Sequence, residues 1–136
     1  GYSGSSYMDV PMNQKIFMAQ YECIKKLAEQ ESCIIVGRCA DYALKDMPGL
    51  VSVFISADMD FKIKRVIEMY GCDEVKAKDI INKTNKKRAS YYNFYSNKKW
   101  ADSRSYNLCI NSSVVGIENA ADLIIQFMNL KLNKKD

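Results

Sequence analysis

Apolar positions recur along this chain with two different periods. In residues 13–30, Ile16, Phe17, Ala19, Cys23, Ile24, Leu27 and Ala28 return every three or four places. That spacing predicts a helix with one buried face, and Asn13 stands where a cap is wanted. The polar run 29–32 closes it. Residues 33–36, Cys-Ile-Ile-Val, are then continuously apolar, as in a strand buried on both faces. A strand is expected over 33–37, followed by a short helix over 39–45 that stops before Pro48-Gly49. Val51, Val53, Phe54 and Ile55 predict a second strand over 51–55. Ser56 and Asp58 are candidate caps for a helix over 59–69, which Gly71 breaks. Asp73 can cap a long helix reaching Tyr95, because no breaker intervenes. Residues 96–105 read as loop and 106–110 as a third short strand. A final amphipathic helix is expected over 117–131, ahead of a charged tail. Residues 1–11, rich in Gly, Ser and Tyr, read as loop.

Strands alternating with helices imply an α/β fold, a parallel sheet with helices on both faces in three layers. Three fully buried strands make a thin sheet, and strands of this kind ordinarily have more neighbours. At 136 residues the chain reads as one domain, 1–136, large enough to bury a real core.

Composition narrows the chemistry. No apolar run approaches the roughly 20 residues that span a membrane, and no signal peptide opens the chain. The five cysteines are odd in number and form no C-x-x-C pair, so they are expected to be reduced thiols in a cytoplasmic protein. The absence of histidine removes Ser-His-Asp and Cys-His catalysis and histidine-ligated metals. No cluster of metal ligands is apparent. The oligomeric state is not legible.

The net charge of +4 is local. Residues 82–104 hold Lys83, Lys86, Lys87, Arg88, Lys98, Lys99 and Arg104 against Asp102 alone, so the rest of the chain is slightly acidic. In a helix, Lys83 and Lys87 share a face, and like charges four apart weaken it. Bound phosphate would remove that cost. The plain alternative is a solvated lysine-rich surface with Tyr91, Tyr92 and Phe94 packed on the core. Arg38, just past the expected strand end and Gly37, is a second anion-seeking group, since ligands of open α/β sheets lie beyond the strands' carboxyl ends. Asp58 and Asp60 read as helix-start residues, and Lys62, Lys64 and Arg65 as a solvated face from which Arg65 can turn towards a strand-end cleft. Neither G-x-x-x-x-G-K-[ST] nor G-x-G-x-x-G occurs.

Four segments together carry a resemblance: Ile-Val-Gly-Arg-Cys-Ala-Asp-Tyr, Val-Phe-Ile-Ser-Ala-Asp, Asn-Lys-Thr-Asn-Lys-Lys-Arg-Ala-Ser-Tyr-Tyr and Trp-Ala-Asp-Ser-Arg-Ser-Tyr-Asn-Leu-Cys-Ile-Asn-Ser. Between residues 13 and 128 the chain resembles the cytidylate-kinase-like proteins, which are P-loop nucleotide kinases. The resemblance implies a P-loop kinase-like fold and phosphoryl transfer from ATP, with Mg2+, to a small acceptor, typically a nucleoside monophosphate such as CMP. It implies Arg38 on the acceptor side, with Asp41 as a looser substrate-binding match. It implies that Lys86, Lys87 and Arg88 lie in a lid-like segment, residues 82–104, and clamp the transferring phosphates. A nucleotide substrate is the partner it implies; no membrane partner is expected from the apolar runs, and the confinement of the charge to one lid-like insertion speaks against a nucleic-acid partner.

Two departures accompany it. Cytidylate kinases carry an acidic residue just before the Gly-Arg pair and another just after, where this chain has Val36 and Cys39. That favours, as an alternative, a non-catalytic nucleotide-binding or regulatory protein on the same fold. A nucleic-acid-binding module using the basic-aromatic stretch is a further alternative. The family also opens with a strand, a glycine-rich phosphate loop and a helix, which the resemblance implies upstream of Gly1. Its strand would lie between 33–37 and 51–55.

Overall fold

The computed structural model describes residues 11–135. The chain divides into two compact units, Gly1–Leu50 and Val51–Asp136.

In the first unit, α1 (Met12–Gln30) forms as the apolar spacing predicts. Its cap is Pro11 and not Asn13: the Pro11 carbonyl accepts from the amides of Gln14 and Lys15 at 3.0 and 3.1 Å. Proline there loses nothing, because the first helical amides have no partner within the helix. A short α2 (Ala40–Ala43) packs on α1, burying Ile24, Ala40, Ala43 and Leu44 together, with Tyr21, Ala28, Ile35, Met47 and Leu50 around them. The strand expected over 33–37 is absent. Those residues are extended but join no ladder, and Ile34 is 94% and Val36 87% exposed. A strand, unlike a helix, satisfies its backbone only through a neighbour. No neighbour is provided among the described residues. The loop expected over 1–11 lies, except for Pro11, outside them.

In the second unit, β1 (Val53–Ser56) and β2 (Leu108–Asn111) pair in parallel, Val53 opposite Leu108 and Ser56 opposite Asn111. They are the only strands among the described residues, so the sheet has two strands where three were expected. The crossover between them is a helical hairpin, α3 (Met59–Tyr70) and α4 (Glu74–Ser96). Gly71 ends α3 in the left-handed region at φ 66°, its amide donating to Ile67 at 2.8 Å. Asp73 opens α4 by accepting from the Lys76 amide at 2.8 Å. Ala77, which is fully buried, lets the two helices approach, and Ile63 and Ile81 complete the seam. After β2, one short turn of helix, α5 (Ser112–Val115), leads through Gly116 into α6 (Ile117–Leu132).

Two four-residue parallel strands make a marginal ladder. Side chains close both of its ends. At the amino end, Ser52 and Asn107 clip each other: the Ser52 amide donates to Asn107 Oδ1 and the Asn107 amide to Ser52 Oγ, each at 3.0 Å. At the carboxyl end, Asn111 Nδ2 donates to Asp58 Oδ1 at 2.9 Å, the Asp58 amide to Ser113 Oγ at 2.9 Å, and Ser112 Oγ to the Ser56 carbonyl at 3.0 Å. Each such bond contributes about 1 kcal/mol net.

Candidate functional site

The basic run lies inside α4 and not in a loose lid. At 23 residues this helix is about 35 Å long. Its first half is fixed by the Ile63–Ala77–Ile81 seam. Its last turn is fixed by aromatic packing: Tyr92, itself buried, stacks on Tyr106 at 5.8 Å, and Tyr106 lies 5.0 Å from Phe54 of β1. Trp100 meets the same Phe54 edge-on at 5.2 Å. Each aromatic pair adds about 1 kcal/mol beyond its buried area. Asn97 and Ala101, at φ 57° and 68°, turn the chain back after the helix. That turn is held by the Trp100 amide donating to Asn93 Oδ1 at 2.6 Å and Ser105 Oγ donating to the Lys99 carbonyl at 2.8 Å.

Lys86, Lys87 and Arg88 sit between these two anchors, all exposed. Two other cations of the segment are neutralised: Lys83 pairs with Asp79 at 3.0 Å, and Arg104 forms a two-pronged bond to Asp102 at 3.0 and 2.7 Å. The hydrogen bonds from Arg104 hold the Asp102 carboxyl well below the usual carboxylate range, so Arg104 is engaged locally. Lys86, Lys87 and Arg88 have no ion-pair partner among the described residues. Three adjacent unneutralised cations on a fixed helix are suited to a multiply charged anion. Of the three aromatics expected on the core, Tyr92 is buried and Tyr91 half-buried, but Phe94 is 77% exposed.

Arg38 is held by a different device. Gly37, Arg38 and Cys39 are successively left-handed, at φ 71°, 57° and 54°. The turn closes when the Ala40 amide donates to the Gly37 carbonyl at 3.1 Å. Two non-glycine residues in that region cost about 1–2 kcal/mol each, and such strain gathers at functional sites. Cys39 is the buried member of the turn, and burial, followed by the charge of Asp41, pushes its thiol up to about 11. The turn presents Arg38, which is exposed. Asp41 is half-buried on α2, with Oδ1 accepting from the Tyr42 amide at 2.9 Å.

A cleft of about 430 Å³ opens at the carboxyl end of β1, between α3 and α6. Ser56, Ala57 and Ser112 line it together with Lys62 and Arg65, and the Arg65 guanidinium lies 6.0 Å from the Phe61 ring. Arg65 thus reaches the strand-end cleft that its position in the sequence allowed. The Asp58–Asn111–Ser113 cluster beside the strand ends escaped sequence reading, because Asp58 is more than 50 residues from Asn111 and Ser113 and strand register brings them together.

A sequence model of the cytidylate kinase-like family matches residues 1–114. The chain belongs to the cytidylate kinase-like family. This family member is also similar to a solved structure, the crystal structure of an uncharacterized protein from Eubacterium ventriosum ATCC 27560. The two are 43% identical, with a TM-score of 0.83 over 87% of this chain and 74% of that one. Among curated proteins none matches. All five cysteines of this family member are unpaired, and no described helix is long and apolar enough to cross a membrane.

Proposed function

We propose that this family member is part of a nucleotide kinase that moves a phosphoryl group from ATP to a small acceptor, a nucleoside monophosphate such as CMP. The observation that carries the reading is the trio Lys86, Lys87 and Arg88, unneutralised on a helix fixed at both ends. Phosphoryl transfer is catalysed mainly by positioning and by neutralising charge on the moving group. Cations carried on a helix whose backbone is held on either side of them suit that task. On the acceptor side, the planar guanidinium of Arg38 offers paired donors to a phosphate, with Asp41 beside it as an acceptor for a sugar or base.

The reading needs an ATP phosphate loop from outside the 136 residues, which contain no G-x-x-x-x-G-K-[ST]. The extended, unpaired 33–37 segment with outward Ile34 and Val36 supports this, since it has the character of a strand without its neighbour. The three-layer sheet, the single domain 1–136 and an intracellular setting belong to the same proposal. Among the described residues no three His, Cys, Asp or Glu side chains come together. When bound, Mg2+ would supply positive charge against the phosphates of ATP.

A non-catalytic nucleotide-binding role is the second reading, favoured by one observation. Cys39 is buried with its thiol held protonated, so the position after Arg38 offers no carboxylate-like group. Calorimetry of the full-length protein with CMP, dCMP and UMP, paired with an ATP turnover assay, separates the two. The kinase reading expects turnover and at least a tenfold loss of kcat/KM in Arg38→Ala. Nucleotide binding without turnover selects the second reading, and normal kcat/KM in Arg38→Ala removes Arg38 from the acceptor site.

A further inference from the structure

Phe94 is the least expected side chain on α4. It is 77% exposed on the most cationic element of the chain. A lone exposed aromatic needs no explanation, but this one is braced. Its ring meets Tyr95 edge-on at 4.9 Å and 83°, and Tyr95 in turn lies 4.8 Å from Tyr91. Lys87, Tyr91 and Phe94 follow at i, i+4 and i+7, so they share one face of the helix. On that face Lys87 to Phe94 is seven residues, about 10.5 Å along the axis, the scale of a ribose and its phosphates. The other exposed residues within four positions of Phe94 are polar or charged, Ser90, Asn93, Asn97 and Lys98. An apolar protein surface would find little to bury there. A flat aromatic group joined to a polyanion finds both halves of its chemistry.

We infer that Phe94, braced by Tyr95 and Tyr91, is a stacking platform for the base of the nucleoside triphosphate whose phosphates meet Lys87 and Arg88. The inference rests on the kinase reading for the phosphate half and adds the base half. It carries a specificity consequence. Stacking engages the ring face and reads no hydrogen-bonding edge, so the platform accepts adenine and guanine alike.

The test is calorimetry of the full chain with ATP, GTP and inorganic tripolyphosphate. The expected result is ATP and GTP affinities within about threefold of each other. Phe94→Ala weakens both about tenfold and leaves tripolyphosphate unchanged. Phe94→Trp restores both nucleotides. Because Phe94 is exposed, its removal leaves the circular dichroism spectrum and Tm unaltered. Unchanged nucleotide binding in Phe94→Ala overturns the platform while leaving the clamp standing. If Lys87→Ala/Arg88→Ala does not weaken tripolyphosphate, the clamp itself fails, an outcome distinct from loss of stacking. A more than tenfold preference for ATP over GTP overturns face-only recognition. Binding of a ten-nucleotide RNA far tighter than ATP, with steep salt dependence, also overturns the proposal in favour of a strand-binding face.

Discussion

The turn at Gly37–Cys39 and the middle of α4 both present cations to solvent, but by opposite means. Arg38 is held out by a strained backbone whose buried member is Cys39. Lys86–Arg88 ride on unstrained helix fixed at two places, by the Ala77 seam and by the Tyr92–Tyr106 stack. In the first case the arginine's placement depends on a local conformation that costs energy. In the second it depends on tertiary packing at either side, and the charged stretch itself carries no structural duty. Substitutions in the two regions should therefore differ in kind.

The largest effect is expected at the α4 anchor. Tyr92→Ala removes a buried ring and opens a cavity beside Phe54 and Tyr106, at a cost of about 3–5 kcal/mol. Urea denaturation checks this, and a loss under 1 kcal/mol would mean that the aromatic cluster does not fix the helix. Next comes the turn. Gly37→Ala places a side chain at φ 71° and should cost about 1 kcal/mol. Arg38→Asn keeps a residue that tolerates the left-handed region, so it should leave stability within about 0.5 kcal/mol while removing the charge. If Arg38→Asn destabilises as much as Gly37→Ala, the arginine has a structural role and the contrast between the regions fails. The smallest effect concerns pH. The folded Cys39 thiol is raised to about 11 from 9.0, so below pH 9.0 it is protonated both folded and unfolded. Between those values the unfolded thiol gives up its proton while the folded one keeps it, so stability falls as pH rises. The urea midpoint of wild type, compared with that of Cys39→Ala from pH 8 to 11, should show that added loss; parallel curves would contradict it.

The same contrast explains what the sequence disclosed. Helices α1, α3, α4 and α6 were legible because their signals are local: apolar spacing, Asp73 as a cap and Gly71 as a stop. The turn device at Arg38 was legible only as Gly-Arg after an apolar run. Its left-handed geometry and the burial of Cys39 were not. The 33–37 strand was misjudged because apolar content marks what a segment is fitted to bury, while a ladder needs a partner that the described residues do not include. Lys86, Lys87 and Arg88 were found from charge alone. That Lys83 and Arg104 are already neutralised, and that Phe94 faces water, required coordinates. The link from Asp58 to Asn111 and Ser113 had no local signal.

The Ser52–Asn107 clip has a consequence for the order of folding. Its partners are 55 residues apart, and closing a loop of that size costs roughly 3–4 kcal/mol in chain entropy before any ladder bond returns it. The α3–α4 hairpin, by contrast, forms from near neighbours and draws the ends of that loop together. The helices are therefore expected to assemble first and the strands to zip last. Asn107→Ala should then speed unfolding and leave the refolding rate almost unchanged. A slowed refolding limb in the chevron would instead put strand pairing in the nucleus.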